Sequence, residues 1–225
     1  MDDEGNVVFD QAANKAALAE TLAFIARMSK FSPSGTNFGW GDIINSFASG
    51  KVAMADYIGS RLYAVTSQNN PQLAEFTKPM LQPYGKAAAN RLSAEGFMVF
   101  KESKNKEVAK SIITYLREGQ HYFDYLWSIP LHVLPTTKED FLGGYQQDDF
   151  VKKHQDIAKV INTAWDQARN PVYDLNGKKA SWQRARIYTS TVYNKMLAGV
   201  VQGGADPSAA IDQAAKAARS LIKNA

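Results

Sequence analysis

Apolar residues recur at helical spacing along much of the chain. In DQAANKAALAETLAFIARMSK, residues Ala17, Leu18, Leu22, Ile25 and Met28 fall on one face, with Asp10 placed to cap the helix. Ser32-Pro33-Ser34-Gly35 ends it. A second helix is predicted from about Asp42 to Ser49, with Gly50 in the left-handed position beyond its end. The alternation in KVAMADY then predicts a short buried strand. Gly59-Ser60 opens a helix through Val65, Pro71 starts a helical turn, and Pro79 and Pro83 bracket an extended piece. EGFMVF has the strongest strand pattern, followed by a turn in which Ser103 caps the amphipathic EVAKSIITYLREG. From Gln120 onward the pattern is helical, broken at IPLHVLPTT and at the loop NPVYDLNGKKAS. Helices are predicted over about 137–144, 147–168, 180–201 and 207–223, the last with Asp206 as cap and Pro207 at its first position. The sum is an α/β fold with few strands and many helices.

Composition narrows the classes. The 225 residues suffice for one large domain or two small ones with a sizeable core. No apolar run approaches the roughly 20 residues that cross a bilayer. The formal charge of +4 is interspersed with acids except over 178–186, KKASWQRAR, which argues against a nucleic-acid interface. There are no cysteines, so disulfides, thiol catalysis and thiolate metal sites are excluded. The opening MDDEGNVVFD is acidic and polar, and reads as an interior stretch of a longer protein.

Catalytic and cofactor motifs are weak. Gly50-Lys51 invites a phosphate-loop reading, but that motif runs strand, glycine loop, helix, and here the order is helix, glycine, strand. His121, His132 and His154 lack metal-ligand spacing, and Asp148-Asp149 and Glu139-Asp140 open predicted helices, where negative charge is favoured. No catalytic residue, metal or cofactor is predicted. The aromatics say more. Trp165 sits on a helix face and is expected in the core, whereas Trp40 and Trp182 each stand at a helix mouth after a polar loop. Such a position suits either partly buried packing or a flat face on which the C–H groups of a sugar stack.

Three segments together resemble the family 1 extracellular solute-binding proteins of ABC importers, the maltose-binding-protein-like group. WGDIINSFASGKVAM is similar to that family's helix, Gly-Lys and strand. EGFMVFKESKNKEVAKSIITYL resembles its strand, turn and helix, and DPSAAIDQAAKAARSLI its C-terminal helix. WSIPLHVLPTTKEDF resembles its proline-containing return. The resemblance implies a type II periplasmic-binding-protein-like C-terminal lobe, helix-rich with a small mixed sheet, the N-terminal lobe being largely absent. Residues 1–93 and 126–225 would belong to that lobe, and 94–125 would be the crossing strand and helix on the N-terminal-lobe side.

The same resemblance implies a non-catalytic subunit that binds a carbohydrate or polar polyol in an interlobe cleft and presents it to a membrane permease. Its location would be periplasmic or extracellular, with a lipid anchor as one alternative. Trp40 falls where the family often has a cleft aromatic. Tyr57 and Arg61 fall in its sugar-contacting loop, with Asp56 beside them, and Glu95 lies in a hinge-like Ala94-Glu95-Gly96. Trp182 and Arg186 fall near a late sandwiching aromatic. Arg61 and Arg186 stand where aromatics are frequent, and guanidinium forks favour carboxylate, phosphate or vicinal hydroxyls. A polar or anionic carbohydrate is therefore expected. A glycan-active enzyme domain, a fragment that binds nothing alone, and self-association of the fragment remain open alternatives.

Overall fold

The computed structural model describes residues 1–2, 4–33, 39–57, 59–85, 87–91, 95–169 and 181–224. Residues 34–38 of the serine-glycine loop, Ala94 of the hinge-like triplet, and 170–180, which include part of the basic run, lie outside the described residues. Two compact units make up the chain: residues 1–36 with 169–225, and residues 37–168.

The first unit packs α1 (Ala12–Met28) with α10 (Trp182–Tyr188), α11 (Val192–Val201) and α12 (Pro207–Lys223). Asp206 caps α12 by accepting from the Ala209 N–H at 2.9 Å, with Pro207 in the first turn as predicted. Ala210, Ile211, Ala214, Ala215 and Ala218 form one buried stripe on α12. These mostly small side chains let α12 pack closely beside Leu22 of α1 and Val192, Met196 and Val200 of α11. Lys15 pairs with Asp212 at 2.7 Å across the same surface.

Asp10 is not the cap of α1. Its carboxylate accepts from Arg219 at 2.7 Å, and that hydrogen bond holds its pKa below the usual carboxylate value. Gln11 occupies the cap position and makes no side-chain capping bond. The helix predicted over 180–201 is two helices. Thr189 Oγ1 donates to Ala185 O at 2.9 Å and Ser190 Oγ to Ile187 O at 2.6 Å, and Ser190 Oγ accepts from Val192 N–H at 3.2 Å. Hydroxyls that bond the local backbone compete with the helical ladder.

The second unit contains α2 (Trp40–Ala48), α3 (Arg61–Asn69), α4 (Pro71–Phe76), α5 (Lys106–Arg117), α6 (Gly119–Trp127), α7 (Lys138–Leu142), α8 (Asp149–Lys153) and α9 (Gln155–Asp166). Its core gathers Tyr122, Leu126, Leu131, Phe141, Tyr145, Val151, Ile157 and Ala158. Trp165 packs against it with its ring edge-on to Phe141, as expected of a core aromatic. The acidic pairs serve helix starts: Asp148 caps α8 through the Val151 N–H at 3.0 Å, and Glu139 and Asp140 lie in the first turn of α7. The helix predicted over 147–168 breaks at His154, whose ring lies 4.8 Å from Tyr63 and 4.3 Å from Phe150. Burial there lowers the His154 pKa.

The strand expectations need correcting. KVAMADY and EGFMVF form no strand, and among the described residues the only pairing is between Asn90–Arg91 (β1) and Ala168–Arg169 (β2). The small mixed sheet is therefore not found among the described residues, which are dominated by helix. An alternating pattern makes a strand only where a neighbour completes the hydrogen-bond ladder, and neither segment has one there. Ser103 is not the cap of α5 either. Its hydroxyl accepts from Asn105 N–H at 3.3 Å within the preceding turn, and Asn105 takes the cap position.

Tyr145 ties the second unit together. Its hydroxyl accepts from Leu131 N–H at 2.7 Å and donates to Val133 O at 2.9 Å, and burial pushes its pKa up to about 12. Replacement by phenylalanine leaves a buried N–H and a carbonyl without this partner, so Tyr145→Phe is expected to destabilise the chain by about 2 kcal/mol in urea unfolding. The unfolded phenol ionises near pH 10. Because the folded pKa is raised, the Tyr145 contribution to stability is lost as pH rises between about 10 and 12, and the variant lacks that part of the slope while keeping the part from Tyr193, whose pKa burial also raises.

Candidate functional site

The second unit brings the start of α2, Tyr57 and the return around His132 together. Asp42, in the first turn of α2, accepts from the Gly39 N–H at 2.8 Å and so fixes where the helix begins. Trp40 is the first residue of α2 and is 58% exposed. At the other end of α2, Gly50 has φ +72°; its N–H bonds Phe47 O at 2.8 Å and the Lys51 N–H bonds Ser46 O at 3.0 Å. This pair of bonds is a Schellman stop. It turns the chain back so that Tyr57 meets Trp40 edge to face, with centroids 5.6 Å apart and planes at 86°. The rings present one aromatic surface of two orientations, the preferred geometry for such a pair.

Beneath Tyr57 lies the IPLHVLP return. The Tyr57 and His132 rings are nearly parallel at 15°, with centroids 6.4 Å apart. Gly59 allows the approach: at φ +69°, a Cβ there would stand 2.8 Å from His132 Nδ1 and 2.9 Å from both His132 Cα and Leu131 O. Ser60, buried, donates its N–H to Leu131 O at 3.1 Å and its hydroxyl to Pro130 O. Leu131 itself has φ +60° and no exposed surface. A left-handed leucine is strained, and the Tyr145 and Ser60 bonds hold it there. So the aromatic surface rests on a backbone junction clamped from two sides.

Polar groups flank it. Asp56 is exposed and accepts from the Gln82 amide at 2.7 Å, which orients its carboxylate. Arg61 is the exposed first residue of α3, and Glu95 is exposed on a stretch that is neither helix nor strand. In the first unit, Trp182 opens α10 and is 55% exposed. Ser181 caps that helix by accepting from Arg184 N–H at 3.3 Å. Arg186 is exposed one turn after Trp182, on the same face.

Of the seven residues expected at the site, the structure pairs Trp40 with Tyr57 and places Asp56 next in the chain. Arg61 begins the helix that follows, Glu95 is exposed elsewhere in the same unit, and Trp182 and Arg186 are exposed on one face of α10 in the first unit. Sequence reasoning missed His132 and Gln82 as parts of this surface, and it placed Gly59 in the same loop without its close approach to the return. The proline-bracketed PLHVLP was a signal that this return is rigid, but nothing local showed that it reaches residues 57–60. A separate open recess of about 390 Å³ lies near Tyr63, Lys78, Lys153 and His154 and includes none of the seven. Its Lys78 and Asp156 lie 3.6 Å apart.

Among the described residues, no three histidine or acidic groups could hold a metal ion, and no helix is long and apolar enough to cross a membrane. Residues 1–118, just over half of the chain, match the family described as bacterial extracellular solute-binding protein. That stretch contains Trp40, Asp56, Tyr57, Arg61 and Glu95, while Trp182 and Arg186 lie beyond it. No curated protein matches the chain.

Proposed function

The chain belongs to the bacterial extracellular solute-binding proteins, and from that premise we propose that its ligand is a carbohydrate or related polyol seated on the Trp40–Tyr57 surface. The family supports a solute-binding role in transport and a periplasmic or extracellular location, and its members are generally not enzymes. The carbohydrate reading rests on one observation above the rest: an exposed tryptophan edge-on to a half-buried tyrosine, on a backbone that cannot yield easily. Sugars expose alternating C–H faces and hydroxyls. A flat indole takes the first, and oriented carboxylates and guanidinium forks take the second.

Asp56, held by Gln82, would accept hydroxyl hydrogen bonds, and Arg61 would donate to vicinal hydroxyls or a carboxylate. Glu95, Trp182 and Arg186 complete the proposed ligand set. In the same reading the partner is the membrane permease of an ABC importer. Residues 94–125 would be the crossing segment of a two-lobe protein, with 1–93 and 126–225 in one lobe. The turn at 101–105 followed by the helix at 106–117 supports that division. Type II architecture belongs to the proposal too.

Arg61 makes the ligand's charge testable. Calorimetric titration of the chain with neutral and uronate-containing oligosaccharides of equal length is expected to show tighter binding of the acidic set. Arg61→Ala should remove about tenfold of that preference, since hydrogen bonds to charged groups contribute about 1.5–3 kcal/mol. Equal affinity for both sets, unchanged in Arg61→Ala, would refute the anionic preference.

A further inference from the structure

Ser60 breaks a local rule at a buried position. It stands in the N-cap place of α3, where a serine hydroxyl ordinarily accepts from an N–H of the first helical turn. Here the side chain makes no capping bond, and only the Ser60 carbonyl serves the helix, accepting from Ala64 N–H at 2.9 Å. The hydroxyl donates instead to Pro130 O, 70 residues along the chain, and the Ser60 N–H donates to Leu131 O at 3.1 Å. All this happens with Ser60 only 2% exposed. Thr66 offers the contrast: it is equally buried, yet its hydroxyl stays within α3, donating to Leu62 O at 2.8 Å. A cap given up for two bonds to one distant return points to a role for the joint itself.

We propose that Ser60 is a positioning residue for the Trp40–Tyr57 surface. Its two bonds join the start of α3 to the return that carries His132, and Tyr57 stands just before that joint in the chain. With the joint closed, Gly59 lies against His132, and Tyr57 meets both the imidazole and the Trp40 indole. Tyr145 holds the same return from the core side, through Leu131 N–H and Val133 O. Tyr145 fixes where the return is; Ser60 fixes where residues 57–60 are relative to it. Without the hydroxyl, Pro130 O loses this partner, the joint loosens, and the two rings lose their set angle of 86°. Ser60 touches no ligand; it acts through Tyr57. The assignment rests on the Trp40–Tyr57 surface being the binding surface, as proposed above.

Amide hydrogen exchange and NMR of the ligand-free 225-residue chain test this role, with Ser60→Ala set against Thr66→Val. Each variant removes one buried hydroxyl-to-carbonyl bond, but only Ser60→Ala cuts the joint. Far-UV circular dichroism of both should match wild type. In Ser60→Ala the amides of residues 60 and 131 should exchange about tenfold faster, and the Trp40 indole N–H resonance should shift as the Tyr57 ring moves. In Thr66→Val those amides should stay within about threefold of wild type, with the indole resonance in place. No change at these probes in Ser60→Ala overturns the proposal, as do equal changes in Thr66→Val. Titration with a uronate-containing oligosaccharide is the second arm. Ser60→Ala should bind about tenfold more weakly and Thr66→Val within about threefold of wild type, and undiminished binding by Ser60→Ala also overturns the proposal. A wild-type chain that binds no sugar refutes the carbohydrate reading instead, and the ligand-free arm then decides the role of Ser60.

Discussion

Gly59→Ala is expected to destabilise the chain by about 3 kcal/mol, the largest effect of any single substitution considered. Two costs combine. A residue with a Cβ at φ +69° is held in the left-handed region, a conformation that costs about 1–2 kcal/mol. The added methyl would also stand 2.9 Å from Leu131 O and from His132 Cα, both backbone atoms of a clamped return. Side-chain tips can swing aside, but this backbone is fixed by Tyr145 and Ser60, so relief needs the loop 57–60 to lift away. Overpacking of that kind costs about 1–3 kcal/mol. Lifting the loop also separates Tyr57 from His132, so ligand affinity should fall together with stability. Urea unfolding at neutral pH measures the first and titration the second. A change in stability below about 0.5 kcal/mol would mean that the close approach of residue 59 to the return is not as described.

Trp40→Ala should do the opposite: abolish most of the binding while leaving the fold intact. Trp40 is exposed at the first position of α2, and the helix start is set by Asp42 and Gly39, which the substitution does not touch. Only the edge contact with Tyr57 is lost, so stability should fall by no more than about 1.5 kcal/mol. Affinity should fall by about 10–100-fold, because a truncated aromatic anchor in a binding surface typically costs more than about 1 kcal/mol and often 2 or more. Trp40→Phe retains a flat face and should lose markedly less than the alanine variant. Contrasting Gly59→Ala with Trp40→Ala separates the scaffold from the surface that it supports.

Those two residues also mark how far the sequence could be read. The helices that depend on local signals are recovered well. The Asp206-Pro207 start and small-residue stripe of α12, and the stop at Gly50, need only residues within a turn or two of one another. Trp40 drew attention by its place at a helix mouth and Tyr57 through the family resemblance, and the Gly50 stop between them is what lets the two rings meet. Strands are different, because period-two alternation in 51–57 and 96–100 says nothing about whether a neighbouring strand is there to pair with. The amphipathic pattern of α5 likewise gave the helix but not the absence of cover for its apolar side. At 189–191 hydroxyls bond back to carbonyls, and at His154 the backbone leaves helical geometry where the ring packs against Tyr63 and Phe150; the apolar period registers neither. His132 and Leu131 were invisible as supports of Tyr57 because they lie more than 70 residues away in the chain. Only the fold brings them together.

The central claim is that the Trp40–Tyr57 surface binds a carbohydrate without altering it. Calorimetric titration of the wild-type chain and of Trp40→Ala with a panel of neutral and acidic oligosaccharides, with mass spectrometry of the ligand recovered afterwards, tests it most directly. Saturable binding of at least one sugar class, lost by about tenfold or more in Trp40→Ala, with the ligand recovered unchanged, is the predicted result. Affinity that Trp40→Ala leaves untouched, no binding of any sugar, or a cleaved ligand would contradict it.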